Sequence, residues 1–465
     1  MAKLFIFKST TEEVSPTLSR TRWRAETLLA LLFAAIITFA GGGTLYFAST
    51  MAVHSDPAAV PSIPGVHGER YADAIEKSRR LVHALLLEEN LPGLSVAVAR
   101  NGEIVWTEGF GWADLEGRVP VTPRTQFRLG SVSKTLTAAA VALLHERGRI
   151  DLDAPVQTYV PAYPQKPWTV TTRQLMGDIA GVHRIRGDNN DNPPGGQCAS
   201  LDEALATFAD EPLLFEPGTR YRFSTYGWIL VSAVVEAAAA EPLAIFMTRE
   251  ILEPLGMEST VLEDGADVAN ITSFYIPRAS MRTKLGVRKV LRPHNSCLAG
   301  AGAFFSTPSD LVRFGWAMLK PGLLKADTIA LLQMPLHLAS GASTDFALGW
   351  KVEHVQLAGA SARMVAHRAT PNGSTVALLQ TPLRLKSGAS TDFALGWKVE
   401  RVQLAGAPAR MVAHRATPNG STVALLTFPD HGVVVAAASN IAPAEGVDPT
   451  ARKIAEAFTK PATDN

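Results

Sequence analysis

Ser131 and Lys134 stand three residues apart in Phe127-Arg-Leu-Gly-Ser131-Val-Ser-Lys134, and the following Thr135–Leu144 is rich in Ala and Leu. On a helix, positions i and i+3 share a face, so hydroxyl and amine would meet there. A serine hydroxyl attacks a carbonyl carbon only when a base takes its proton. A lysine amine keeps its own proton up to a pKa of about 10.4, and it acts as a base only where desolvation or another cation lowers that value. The apolar helix would supply the burial, and its N-terminus would aim backbone N–H groups at a developing oxyanion. The chemistry in view is covalent attack on a peptide, amide or ester carbonyl. On these two residues alone, a helix-capping serine followed by a surface lysine is the favoured reading.

Composition narrows the alternatives. The chain has 465 residues, 47% hydrophobic and 19% charged, which excludes a disordered chain and provides for a substantial core. With 44 basic and 43 acidic residues, the global charge favours neither nucleic acid nor anionic lipid, and no nucleic-acid partner is expected. The 11 histidines form no metal-binding cluster, so neither a metal nor another cofactor is expected. Cys198 and Cys297 could pair only if the fold brings them together. Cys297 lies in an apolar, Gly-rich run, which favours a buried thiol.

The elements that must position Ser131 and Lys134 read as follows. Residues 69–89 have helical periodicity. Leu94–Ala99 and Ile104–Trp106 are strands joined through Asn101-Gly102, a strong hairpin signal. Thr135–Glu146 is a helix ended by Gly148. Between 150 and 290, helical stretches such as Leu201–Ala209, Trp228–Ala240 and Leu243–Leu255 alternate with loops. Residues 309–319, 323–333 and 449–459 read as helices, and Thr427 onwards as strand, turn, strand (Val433–Ala438). Strands from both ends of the chain around a helical middle predict an α+β fold: an antiparallel sheet flanked by helices, with a mostly helical lobe at about 150–290.

Two further features shape the domain plan. Thr27–Val53 carries no charge and is long enough for a hydrocarbon layer of ~30 Å, which takes about 20 residues. The basic excess before it (Lys3, Lys8, Arg20, Arg22, Arg24 against Glu12 and Glu13) places the N-terminus in the cytoplasm. Because the leading polar region is long, an uncleaved membrane anchor is favoured over a signal peptide cleaved near Ala52. Residues 1–54 are thus a tail and anchor or signal segment, 55–65 a Pro-rich linker, and 66–465 the main domain. That domain would lie outside the cytoplasm, in a bacterial periplasm, or be secreted after cleavage. The second feature is a tandem repeat, Ala330–Val376 and Ala377–Val423, with a 47-residue period. Two copies make no solenoid, so one reads as an insertion. The second copy runs directly into the final strands and is expected to fill the sheet. Strands of the first copy must be covered elsewhere or form an exposed edge.

FRLGSVSK, the helix after it and GRIDLDAPVQTYVP resemble the serine β-lactamase and penicillin-binding-protein superfamily, and within it the class C-like branch that includes mitochondrial serine β-lactamase-like proteins. EPGTRYRFSTYGWILVSAVVE, AGAGAFFSTPSDLVRFG and the closing strands and helix fit the same branch, so the resemblance spans about residues 65–460. It implies a β-lactamase/transpeptidase-like fold, Ser131 as the acylated nucleophile and Lys134 as its proton acceptor. The second motif, usually Tyr-Ser/Ala-Asn or Tyr-Ser-Thr, is Phe223-Ser224-Thr225 here. Ser224 and Thr225 would face substrate, but Phe223 has no phenol to carry a proton; Tyr221 and Tyr226 are the nearby candidates to compensate. The third motif would be His414-Arg415-Ala416, duplicated at His367 in the first copy, with the Thr417 backbone N–H as second oxyanion donor. Relatives more often read His-x-Ser/Ala-Gly where this chain has Asp178-Ile-Ala180-Gly181. The expected partner is a small-molecule or peptide substrate, besides the membrane at the N-terminal segment. The expected function is a serine hydrolase working through an acyl-enzyme. The alternative is a catalytically weakened binding or scaffold protein, which Phe223, Ala416 and the duplication favour.

Overall fold

The computed structural model describes residues 52–54, 56–183, 196–263, 269–278, 283–332 and 431–459. It also describes 334, 336–342, 344, 348 and 420–428, and, by backbone alone, strands between 351 and 416. In chain order the framework is β1 (Ser62–His67), α1 (Ala72–Glu88), β2 (Gly93–Arg100), β3 (Glu103–Asp114), α2 (Ser133–Glu146), α3 (Thr225–Ala239), α4 (Pro308–Ala317), β4 (Lys351–Leu357), β5 (Ala360–Arg368), β6 (Val412–Ala416), β7 (Thr422–Phe428), β8 (Val433–Ser439) and α5 (Val447–Thr459).

The large sheet runs β1-β3-β2-β8-β7-β6-β5-β4 and is antiparallel except where β5 meets β6. β7 and β8 are buried along their whole length, and β2 except at Arg100. Successive side chains point to opposite faces, so both faces of the central sheet must be covered. That accounts for runs such as Val433-Val-Val-Ala-Ala-Ala438, which do not alternate with polar residues. α1 and α5 pack on each other and on the sheet, and α4 packs on β2, β7 and β8. The hairpin between β2 and β3 turns at Asn101 and Gly102, with φ of 52° and 91°. Two consecutive positive φ values are what a tight hairpin turn demands, and Asn-Gly tolerates them best. The fold is the expected α+β arrangement.

Three sequence expectations need correction. The stretch 55–65 is not linker to its end: Ser62, Ile63 and Pro64 already pair with Phe110, Gly109 and Glu108. An edge strand tolerates a proline there because one row of its N–H groups faces away from the sheet. Leu243–Leu255 is not one helix: an α-helix at Leu243–Met247 gives way to a π-helical turn at Thr248–Leu252. Cys297 is not a free thiol but is bonded to Cys198. The sequence places 98 residues between the two, and only the fold brings Gly196–Cys198 alongside the Ser296–Ala301 turn, where Cys297 N–H donates to the Gly196 carbonyl.

That crosslink carries an expected outcome. A disulfide restricts the unfolded chain, with typical stabilisation of about 2–4 kcal/mol. Replacing both cysteines with serine should lower the unfolding free energy by about that amount, read from urea unfolding as a lower midpoint with an m-value that rises as the freed unfolded chain expands.

The strands of the two repeat copies occupy different places. β6, from the second copy, pairs antiparallel with β7 from Val412↔Thr427 to Ala416↔Val423. β4 and β5, from the first copy, form a hairpin that joins the sheet edge through the parallel pairs His367↔His414 and Arg368↔Arg415. The segment 27–53, expected to anchor the chain, lies outside the described residues up to residue 51. Among the described residues, no single helix is long and apolar enough to cross a membrane.

Candidate active site

Ser131 sits in a short 3-10 turn, Gly130–Val132, that runs directly into α2. Lys134 is the second residue of α2, and its Nζ lies 2.8 Å from Ser131 Oγ. The lysine is 1% exposed and the serine 9%. A second contact fixes the amine: Nζ donates to the Ala301 carbonyl at 2.8 Å. Ala301 closes the Ser296–Ala301 turn, which is held against α2 by the Thr137 hydroxyl donating to the Gly300 carbonyl at 2.9 Å. Glycine is required at 300, because a Cβ there would come within 2.3 Å of Thr137 Oγ1. Ala299 takes φ 43° and ψ −133°, a conformation that strains a residue carrying a Cβ. The strained turn therefore belongs to the lysine's own support.

The second-motif segment reaches the same amine from above. The Phe223 ring centre is 5.1 Å from Lys134 Nζ, within reach of a cation–π contact. Ser224 caps α3: its Oγ accepts from Gly227 N–H at 2.8 Å and donates to the His183 carbonyl at 2.6 Å. Its hydroxyl is thus engaged in holding α3 and the 183 loop together. Thr225, 9% exposed, begins α3. Tyr226 is buried with its ring stacked on Phe208, centres 4.3 Å apart. Tyr221 is half-buried in the segment leading to Phe223.

Asp178 holds this segment. Its backbone takes φ 56°, its carbonyl accepts from Arg222 N–H at 2.8 Å, and Oδ1 accepts from Ser224 N–H at 3.1 Å. Phe223, between those two anchors, is thereby held over Lys134. Burial pushes the Asp178 carboxyl up to about 7, while the Ser224 N–H, the Lys134 charge and the Trp228 indole pull the other way.

The third-motif strand runs alongside. β6, carrying His414, lies beside the Gly130–Val132 turn, and β5, carrying His367, also approaches it. Thr417 lies outside the described residues. Just beyond it, Ser421 Oγ donates to the Arg128 carbonyl at 2.8 Å, tying this end of the sheet to the approach to Ser131. Arg128 itself was not singled out in the sequence. It is fully buried, pairs with Glu263 at 3.1 Å and donates to the Pro293 carbonyl at 2.8 Å. Its guanidinium lies 5.3 Å from the Phe274 ring centre and 4.9 Å from that of Phe305. Its place three residues before Ser131 was a usable signal; its partner, 135 residues away, was not.

A buried amine thus meets a serine hydroxyl at the mouth of a helix beside the sheet, and the fold is that of the serine β-lactamase and penicillin-binding-protein superfamily. Residues 78–458 match the family described as Beta-lactamase, and the chain belongs to that family. It is similar to the serine beta-lactamase-like protein LACTB, mitochondrial, of Homo sapiens, with 30% identity over 65% of this chain and 70% of the relative. It is also similar to Esterase EstB of Burkholderia gladioli, 34% identical over 37% of this chain and 47% of the relative. Among solved structures, the D-amino acid amidase of Ochrobactrum anthropi has the same fold, with a TM-score of 0.61 and 18% identity over 83% of this chain and 98% of the amidase.

Proposed function

We propose that the protein is a serine hydrolase that forms an acyl-enzyme at Ser131 on a peptide, amide or ester substrate. The observation that carries this reading is the 2.8 Å contact between Lys134 Nζ and Ser131 Oγ in a buried site. Ser131 Oγ bonds to the carbonyl carbon as its proton passes to the neutral Lys134 amine. The tetrahedral adduct collapses, and the leaving amine or alkoxide departs with a proton from Lys134. Water then cleaves the acyl-serine ester. β6 runs next to the nucleophile turn, so the backbone N–H of Thr417, after His414, is the proposed second oxyanion donor beside that of Ser131. Relatives that carry esterase and amidase in their names support hydrolysis without choosing the substrate. The working domain is proposed to lie outside the cytoplasm, behind the 27–53 segment as anchor or cleaved signal. The Cys198–Cys297 disulfide supports this, since such bonds persist in oxidising compartments.

The test is labelling with a fluorescent penicillin and a fluorophosphonate, with the adduct located by mass spectrometry. Wild-type protein is expected to carry the label on Ser131, and Ser131→Ala to carry none. Absence of any adduct on Ser131 with both reagents would refute the catalytic reading. It would leave the binding or scaffold reading, which Phe223 beside the lysine favours.

A further inference from the structure

We propose that the Cys198–Cys297 disulfide is a redox-sensitive clamp on the turn that positions Lys134, so that Ser131 reacts fast only while the bond is closed. The inference rests on the acyl-enzyme reading above and concerns the regulation of that same site. The turn Ser296–Ala301 is held at both ends. At its start, Cys297 is bonded to Cys198, Cys297 N–H donates to the Gly196 carbonyl at 3.3 Å, and Ser296 Oγ accepts from Cys198 N–H at 2.9 Å. At its end, the Ala301 carbonyl accepts from Lys134 Nζ at 2.8 Å. Gly300, just before, is wedged between α2 and α3: a Cβ there would come within 2.3 Å of Thr137 Oγ1 and 2.7 Å of Ser232 Oγ.

Between the two ends stands Ala299, two residues from Cys297 and two from Ala301, with φ 43° and ψ −133°. An alanine keeps such a conformation only while its surroundings over-determine it. Thr137 and Lys134 hold the turn on one side of Ala299, and the disulfide holds it on the other. A dithiol reductant gives two electrons and two protons to the S–S bond, leaving two thiols and becoming a disulfide itself. Gln197 and Ala199, on either side of Cys198, are exposed, so the bond lies just below the surface. With the bond open, Ala299 relaxes towards an ordinary φ, and the carbonyl two residues on turns away from Nζ. The amine loses the acceptor that aims it at Ser131 Oγ, and attack slows. Cys198, Cys297 and Ala299 touch no substrate; they are positioning residues that act through Lys134.

The rate at which a fluorophosphonate labels Ser131 in the full-length protein, oxidised and after dithiothreitol, tests this. Reduction, confirmed by mass, is expected to slow labelling about tenfold or more, since a catalytic group displaced by even about 1 Å costs rate steeply. Circular dichroism checks that the reduced chain is folded. The decisive companion is Ala299→Gly. Glycine takes positive φ without steric cost, so the turn no longer needs the clamp, and reduced Ala299→Gly should keep most of the oxidised wild-type rate. A disulfide that only constrains the unfolded chain leaves the native labelling rate alone and gives Ala299→Gly nothing to rescue. A reduced, folded wild type that labels at the oxidised rate overturns the proposal, and so does a reduced Ala299→Gly as slow as reduced wild type. If the reduced wild type unfolds in buffer, the comparison is made in sucrose, which favours the compact state. Unfolding there too overturns the proposal, the bond then serving the fold alone. If the oxidised wild type takes no label, the acyl-enzyme reading fails on its own, and amide exchange judges the clamp. The Gly302 and Ala303 N–H groups, which donate to the Ala299 carbonyl at 3.2 and 2.9 Å, should exchange faster on reduction; unchanged exchange overturns the proposal.

Discussion

Replacing Lys134 with methionine is expected to lower the rate of Ser131 labelling by about three orders of magnitude, within the 10²–10⁴-fold range typical of a positioned general base. Methionine fills a buried site of similar length, so α2 should stay intact while the hydroxyl loses the group 2.8 Å from it. The informative companion is Lys134→Arg. Arginine keeps a cation and hydrogen-bond donors, but it does not give up its proton at any working pH. If Lys134 serves as a proton acceptor, arginine should be as slow as methionine. If a positive charge beside Ser131 were all that mattered, arginine would retain most of the rate. Fluorophosphonate labelling followed against time and pH separates the two outcomes, with thermal melts confirming that both variants are folded.

Arg128→Met should be the most damaging single change to the fold. Arg128 and Glu263 are 0% and 2% exposed, with Nη2 3.1 Å from Oε2. Removing one member of a buried pair strands the other charge away from water, at a cost of about 3–5 kcal/mol. Glu263 would keep only part of its support, the Asn295 N–H at 3.1 Å. Burial already draws the Arg128 guanidinium down to about 10, yet it remains charged at neutral pH. The double variant Arg128→Met, Glu263→Gln should recover much of the loss, because no buried charge is left uncompensated. Urea midpoints of the two single variants and the double complete the cycle. A loss under about 1 kcal/mol for Arg128→Met, the scale of an exposed pair, would show that the ion pair is dispensable. Since Arg128 precedes Ser131 by three residues and its carbonyl accepts from Ser421, labelling should fall in the same variant.

Much of the molecule was legible from local pattern. A hydroxyl and an amine three apart in a helical stretch share a face, so the approach of Ser131 and Lys134 was legible from their spacing, while the 3-10 turn that carries Ser131 and the burial of Lys134 were not. The β2–β3 turn is equally local, because Asn101-Gly102 tolerates the positive φ that a tight hairpin imposes. α5 and the final hairpin likewise announce themselves through periodicity and turn residues.

What the sequence could not decide depends on residues far apart in the chain. The Ala301 carbonyl reaches Lys134 across 167 positions, Glu263 finds Arg128 across 135, and Cys198 meets Cys297 across 99. No window of sequence carries these pairings, since each exists only after the sheet and the helical segments have packed. Asp178 shows the difference most plainly: as a letter it was a departure from a motif, and only the packed chain shows it accepting from Arg222 N–H and Ser224 N–H, on either side of Phe223. Spacing along the chain brought a hydroxyl and an amine together; the burial and the long-range partners around them are properties of the packed chain.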